Sequence, residues 1–185
     1  KFGQIIKMKD IKLHDKTFEI YIPETEIAEI VNSVATAINN SGVEKPLFIA
    51  VLNGSFLFAA DIMRKITIPN SEISFIKLSS YQGTESTGKV NELIGLNQDL
   101  KGRNIIILED IIDTGNTLEK IIELFQNEEL TSFKTATLLY KPKAYNKDIP
   151  IDCIGKSIPN DFVVGYGLDY EEIGRNLPHI YKLKN

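Results

Sequence analysis

A doubly wound α/β domain with a mainly parallel sheet is the fold class this sequence predicts. Two observations carry the expectation. The stretches "LFIAVL" (47–52) and "NIIIL" (104–108) are unbroken apolar runs, the pattern of strands buried on both faces. Around them lie stretches with helical spacing, and strands separated by helices build a parallel sheet covered on both sides. The size permits it: 185 residues, 43% hydrophobic and 25% charged, suffice for one domain with a sizeable core.

Along the chain, "FEIYIP" (18–23) alternates and reads as a short strand. Ile27, Ile30, Val31, Val34 and Ile38 follow helical spacing, with Thr25 as the expected cap and Gly42 as the stop. The 47–52 strand breaks at Asn53-Gly54-Ser55, and "FLFAADIMRKI" (56–66) follows as a helix. "ISFIKL" (73–78) is the next strand. The polar, glycine-containing segment "YQGTESTGKV" (81–90) cannot pack a core and reads as a surface loop or an active-site lid. The 104–108 strand ends at Leu108, an acidic loop follows, and Leu118, Ile121, Ile122 and Phe125 mark a helix face. "FKTATLLY" (133–140), "IDCIG" (151–155) and "FVVGYG" (162–167) complete the strands. Ligands of such sheets bind beyond the carboxyl ends of the strands, which directs attention to Asn53-Gly54, to 109–116 and to Lys141.

A formal net charge of −4 argues against nucleic acid as a general partner. Cys153 is the only cysteine, which excludes an intramolecular disulfide and a CxxC metal site; in "PIDCIG" it reads as a small hydrophobe. No run approaches the about 18 apolar residues of a membrane span, and "KFGQIIKMKDIK" lacks a leader's apolar region and cleavage site. The expectation is a cytoplasmic protein without a membrane partner.

The segment "LEDIIDTGNT" (108–117) is dense in chemistry. Gly115 permits a tight turn, Thr114, Asn116 and Thr117 supply side-chain donors, and the first amides of the following helix point into the loop. That is a phosphate cradle. Carboxylates beside it repel a phosphate unless a cation or sugar hydroxyls intervene, so a ligand carrying phosphate, polyol and Mg²⁺ satisfies all of it: a ribose phosphate. Helix capping by Asp113 or Thr114 explains one polar residue but not Glu109, Asp110 and Asp113 together. The tripeptide Asp113-Thr114-Gly115 also occurs in aspartic proteases, but there an all-β frame and a second carboxylate are needed.

"IIILEDIIDTGNTL" (105–118) resembles the phosphoribosyl-pyrophosphate signature of purine phosphoribosyltransferases. "VLNGSFLFAADI" (51–62), "SSYQGTESTGKV" (79–90) and "DFVVGYGLDYEEIGRNLPHI" (161–180) resemble the pyrophosphate loop, the flexible catalytic loop and the purine-binding region of hypoxanthine-guanine phosphoribosyltransferases. With Lys141 the similarity spans most of 47–180. The resemblance implies the type I phosphoribosyltransferase fold: one domain, with a core over about 43–155 and a small hood lobe from about 1–42 and 156–185. It implies transfer of a phosphoribosyl group from phosphoribosyl pyrophosphate to hypoxanthine or guanine, giving IMP or GMP and pyrophosphate, with Mg²⁺, in a homodimer or homotetramer.

It also implies roles. Glu109 and Asp110 hold the ribose hydroxyls and the metal, and Asp113, Thr114, Gly115, Asn116 and Thr117 cradle the 5′-phosphate. Asp113 is the candidate general base at purine N7, and Ser80 and Tyr81 close over the reaction. Leu52, Asn53, Gly54 and Arg175 take pyrophosphate, with a cis Leu52-Asn53 peptide expected. Ile111, Lys141, Phe162, Val163 and Asp169 form the purine side, Lys141 donating to the 6-oxo group, Phe162 stacking and Asp169 ligating a second Mg²⁺. Taken without the resemblance, Lys141 is a solvated lysine, Phe162 a core aromatic, and Asp169 and Arg175 surface charges. Asn53 and Asn116 stand where relatives carry Lys, which weakens the expected hold on pyrophosphate. A regulatory nucleotide- or RNA-binding protein on the same fold is the second reading, and turnover of hypoxanthine separates the two. His14 and His179 receive no role.

Overall fold

The computed structural model describes residues 10–78, 92–94 and 99–184. The chain runs β1 (Ile11–Leu13), β2 (Lys16–Ile22), α1 (Glu24–Asn39), β3 (Pro46–Val51), α2 (Phe56–Met63), β4 (Glu72–Leu78) and β5 (Glu92–Ile94). It continues through β6 (Asn104–Ile112), α3 (Asn116–Phe125), β7 (Ser132–Tyr140), β8 (Cys153–Ser157), β9 (Val163–Val164) and β10 (Ile180–Leu183).

Six strands form the large sheet in the order β5-β4-β3-β6-β7-β8. All neighbours in it are parallel except β5, which pairs antiparallel to β4 at the edge. The chain enters at β3, steps outward to β4, then returns to the opposite side of β3 with β6. That reversal opens a crevice over the carboxyl ends of β3 and β6, where α/β sheets of this order bind ligands. The parallel frame removes the aspartic-protease reading of Asp113-Thr114-Gly115.

Alternation within the unbroken apolar runs explains why they are apolar on both sides. Phe48 and Ala50 of β3 and Ile106 and Leu108 of β6 face Ile27, Val31, Val34 and Ile38 of α1 and Phe58 and Ile62 of α2. Leu47, Ile49, Val51, Ile105 and Ile107 form the opposite layer with Ile121 and Phe125 of α3. Ile122, expected on that helix face, is only partly buried. Half-buried Cys153 packs against the α1 layer, and burial pushes its thiol up, so it behaves as a hydrophobe.

The remaining strands form a small antiparallel sheet, β1-β2-β10-β9, built from both ends of the described chain around Phe18, Val164 and Tyr181. The stretch 162–167 contributes only Val163–Val164, and to this sheet rather than the parallel one. Thr25 lies inside α1 and does not cap it; Pro23 is the cap residue and makes no side-chain bond. The cap comes from afar: the Glu24 N–H donates to His179 Nδ1 at 2.9 Å. This tertiary contact satisfies one orphan amide of the helix and ties it to the segment entering β10. The helix ends at Asn39, before Gly42, and α2 ends at Met63 rather than at 66. No helix is long and apolar enough to cross a membrane, among the residues described.

Candidate active site

The crevice exists because two neighbouring strands end at different heights. β3 pairs with β6 up to Ala50↔Leu108 and then leaves the sheet, while β6 continues to Ile112. Glu109 and Asp110 therefore sit within a strand and not in the expected loop. Acidic residues read as the end of the apolar run, although Ile111 and Ile112 resume it. Beside them the chain turns through the cis Leu52-Asn53 peptide expected from the resemblance. Gly54 lies so close that a Cβ there would overlap the Asp110 carboxylate, so no other residue fits without moving that acid.

A cavity of about 290 Å³ fills the gap, lined by Leu52, Gly54, Glu109, Asp110, Ile111 and Thr117, together with Val51, Leu78 and Lys120. Lys120 carries no signal in the sequence, where it reads as an exposed helix charge. Glu109 is 5% exposed, and burial followed by the adjacent Asp110 charge pushes its carboxyl well above the usual range. Burial also pushes Asp110 up to about 6; backbone hydrogen bonds and Arg175 pull it down, and Asp169 pushes it up. Two desolvated carboxylates side by side are a donor set that a divalent cation relieves. Both donors are carboxylate oxygens, the ligand type of a hard ion such as Mg²⁺.

Sheet register sets the second group. Ile112 pairs with Tyr140, so the next residue on each strand, Asp113 and Lys141, emerge together. The Lys141 N–H donates to the Ile112 carbonyl at 3.0 Å, and Lys141 Nζ to Asp113 Oδ2 at 2.8 Å. Lys141 is 7% exposed, which overturns the solvated-lysine reading; an ammonium this buried needs the carboxylate. Gly115 caps α3 with φ 85° and no side-chain bond, so neither Asp113 nor Thr114 acts as the cap. The Asn116 N–H points at Thr114 Oγ1, 3.4 Å away, and Asn116 and Thr117 form the first turn of α3. Tyr145 and Lys147 cover Gly115, and the Lys147 ammonium pairs with Glu119 at 2.6 Å.

The small sheet carries the third group. Val163 is buried, but Phe162 is 44% exposed and is not a core aromatic. Phe18 and Tyr170 pack against its ring, with centroids at 6.2 and 5.8 Å, and much of the ring stays open to solvent. Asp169 and Arg175 are an ion pair at 2.7 Å, and Arg175 also donates to the Gly167 carbonyl at 2.9 Å. Gly167 in turn presses on the Gly54 carbonyl, which docks this turn onto the crevice loop. Asp113, Lys141 and Phe162 do not line the 290 Å³ cavity. Ser80 and Tyr81 lie outside the described residues.

A larger hollow of about 490 Å³ lies between α1, α2 and residues 176–178 and is lined by none of the candidate site residues. At its wall the Tyr166 hydroxyl donates to Asp61 Oδ2 at 2.7 Å, joining the turn before Gly167 to α2. Burial, and then the Asp61 carboxylate, push this phenol far up, so it stays a donor. Tyr166→Phe is expected to cost about 1.5–3 kcal/mol, the range for a hydrogen bond to a charged group. A urea midpoint equal to wild type would show that the contact contributes nothing.

Comparison with known proteins identifies the family of the chain. A family model described as phosphoribosyl transferase domain matches residues 21–171. The chain is 41% identical over 172 residues to the hypoxanthine phosphoribosyltransferase of Salmonella typhimurium, covering 90% of this chain and 96% of that one. It is 41% identical over 174 residues to the hypoxanthine-guanine phosphoribosyltransferase of Staphylococcus epidermidis, with 93% and 97% covered. The crystal structure of a hypoxanthine phosphoribosyltransferase from Staphylococcus aureus superposes with a TM-score of 0.81 at 38% identity, covering 90% of this chain and 91% of that one.

Proposed function

The chain belongs to the phosphoribosyl transferase family, among the hypoxanthine-guanine phosphoribosyltransferases, and from that premise we propose that it is a purine-salvage enzyme. It transfers the phosphoribosyl group of phosphoribosyl pyrophosphate to N9 of hypoxanthine or guanine and releases IMP or GMP and pyrophosphate. The observation that carries this reading is the Asp113–Lys141 pair, which the β6/β7 register places at the end of the strand bearing Glu109 and Asp110.

The residues divide the work. The 5′-phosphate sits on Thr114, Gly115, Asn116 and Thr117 at the start of α3, where amide dipoles favour an anion. Glu109 and Asp110 accept from the ribose hydroxyls. Pyrophosphate leaves along Leu52, Asn53 and Gly54 toward Arg175. The purine stacks on the open part of Phe162 and meets the backbone at Val163 and Ile111. Lys141, donor-only, hydrogen-bonds the 6-oxo oxygen, and Asp113 takes the proton from N7 as the glycosidic bond forms. Glu109 and Asp110 would hold one Mg²⁺ and Asp169 a second, and these would supply positive charge against departing pyrophosphate; Asp169 would exchange its Arg175 partner to do so. The enzyme acts in the cytoplasm as a homodimer or homotetramer.

Steady-state rates with hypoxanthine, guanine, xanthine and adenine, each with phosphoribosyl pyrophosphate and magnesium, test the reading. Rapid turnover of a 6-oxopurine is expected; nucleotide binding without turnover sinks it in favour of a regulatory protein on this fold. Lys141→Ala should reduce the hypoxanthine-over-adenine ratio of kcat/KM by about 10–100-fold, the value of one charged hydrogen bond. An unchanged ratio means another group selects the oxopurine.

A further inference from the structure

We infer that Lys120 is a further cation that holds the pyrophosphate end of the donor, from the cavity wall facing Leu52 and Gly54, an inference that rests on the phosphoribosyltransferase reading above. Lys120 follows Thr117 by three residues and Asn116 by four, on the same face of α3. Its side chain lines the 290 Å³ cavity opposite the crevice loop at Leu52 and Gly54, beside Leu78, Glu109 and Asp110.

Charge makes the assignment specific. The cavity wall contains two carboxylates, and the loop that faces them carries the uncharged Asn53. A pyrophosphate entering there meets repulsion from Glu109 and Asp110 and needs positive charge of comparable size. Three other cations of this region are ion-paired, Arg175 with Asp169 at 2.7 Å, Lys141 with Asp113 at 2.8 Å and Lys147 with Glu119 at 2.6 Å, and none of the three lines this cavity. Lys120 has no carboxylate within 4 Å among the described residues and already faces the cavity. The opposite wall explains which phosphate it serves. Of the proposed 5′-phosphate cradle only Thr117 lines this cavity, whereas the crevice loop at Leu52 and Gly54 and the strand ends of β3 and β4 all do.

Calorimetric titration of the full chain with magnesium pyrophosphate, and separately with IMP, tests this without requiring turnover. Lys120→Met keeps the stem and removes the charge; Lys120→Arg restores a charge. Met should weaken pyrophosphate binding by about 10-fold or more and leave IMP within twofold, with an unchanged melting temperature, and Arg should recover most of the loss. In steady state the same Met variant should raise KM for phosphoribosyl pyrophosphate and leave KM for hypoxanthine unchanged. Pyrophosphate affinity equal to wild type overturns the assignment. So does a joint loss of IMP and phosphoribosyl pyrophosphate affinity with pyrophosphate intact, which would place Lys120 on the 5′-phosphate. Wild-type protein that binds pyrophosphate yet turns over no oxopurine counts against the enzyme reading, and the variant comparison still decides the role of Lys120.

Discussion

Asp113→Asn lowers kcat for hypoxanthine by about 10²–10⁴-fold, the range for losing a positioned general base. Asn is nearly isosteric, so the turn between β6 and α3 keeps its shape, and its carbonyl oxygen can still accept from Lys141. What it cannot do is take a proton from purine N7. The Asp113 side chain is 44% exposed while that of Lys141 is 9% exposed, so water can partly replace the lost charge around the lysine. The expected stability cost is accordingly small, about 1 kcal/mol, below the 3–5 kcal/mol of a fully buried pair losing one member. KM for phosphoribosyl pyrophosphate should change little, because the contacts proposed for the 5′-phosphate remain at Thr114, Gly115, Asn116 and Thr117. A kcat within threefold of wild type in a folded variant would remove Asp113 as the base. The pairing has a further implication for substrate entry. In the proposed binding mode the 6-oxo group and N7 of the purine arrive where Lys141 and Asp113 bond each other, so the base exchanges one ion pair for two hydrogen bonds.

Asp110→Asn should make the ligand-free protein more stable and the enzyme far less active. Asp110 titrates at about 6 in the fold against an ordinary value of 3.8. Below about pH 4 it is protonated in both folded and unfolded chains and costs nothing. Between pH 4 and 6 the folded chain holds the proton longer than the unfolded one, so stability falls as pH rises through this window and stays reduced above it. A tenfold difference in proton affinity corresponds to about 1.4 kcal/mol, so the cost above pH 6 is at most about 3 kcal/mol. Glu109 moves in the same direction for the same leading cause, burial. The amide at 110 removes the charge and should recover about 1–3 kcal/mol at pH 7.5, read from urea unfolding at pH 5 and 7.5. kcat/KM should fall by at least about 100-fold, equivalent to roughly 2.7 kcal/mol of lost transition-state stabilisation. If the variant is no more stable than wild type at pH 7.5, the crevice is better hydrated than its burial implies. A site that is costly to maintain empty and favourable when filled is a common trade between stability and activity.

The parallel sheet was legible because burial on both faces leaves one mark, the unbroken apolar run, at both β3 and β6. The site was legible where chemistry is local in sequence, as in the acidic strand end and the glycine turn at Gly115. Four things were not. The strand identity of Glu109 and Asp110 was hidden because strand propensity is judged from side chains, while their place is set by β7 pairing on one side and the departure of β3 on the other. His179 as the cap of α1 joins residues 155 apart, and no periodicity records such a contact. The burial of Lys141 depends on a carboxylate 28 positions earlier, which only the register of β6 against β7 brings near. The exposed ring of Phe162 belongs with these, since a short edge strand and a core strand look alike over two residues.

The small sheet has a consequence for how the protein is made. β2 lies near the start of the chain, yet one of its two neighbours is β10, at Ile180–Leu183. During synthesis the five parallel strands can assemble once β8 has left the ribosome, since their pairings span shorter separations. β2 must wait, with Phe18 unburied, until β10 arrives. Pairings of such long sequence separation form late and slowly. The nascent protein therefore acquires its phosphate crevice before the segment proposed to stack the purine, and its exposed β2 edge is the region most in need of chaperone protection on the way.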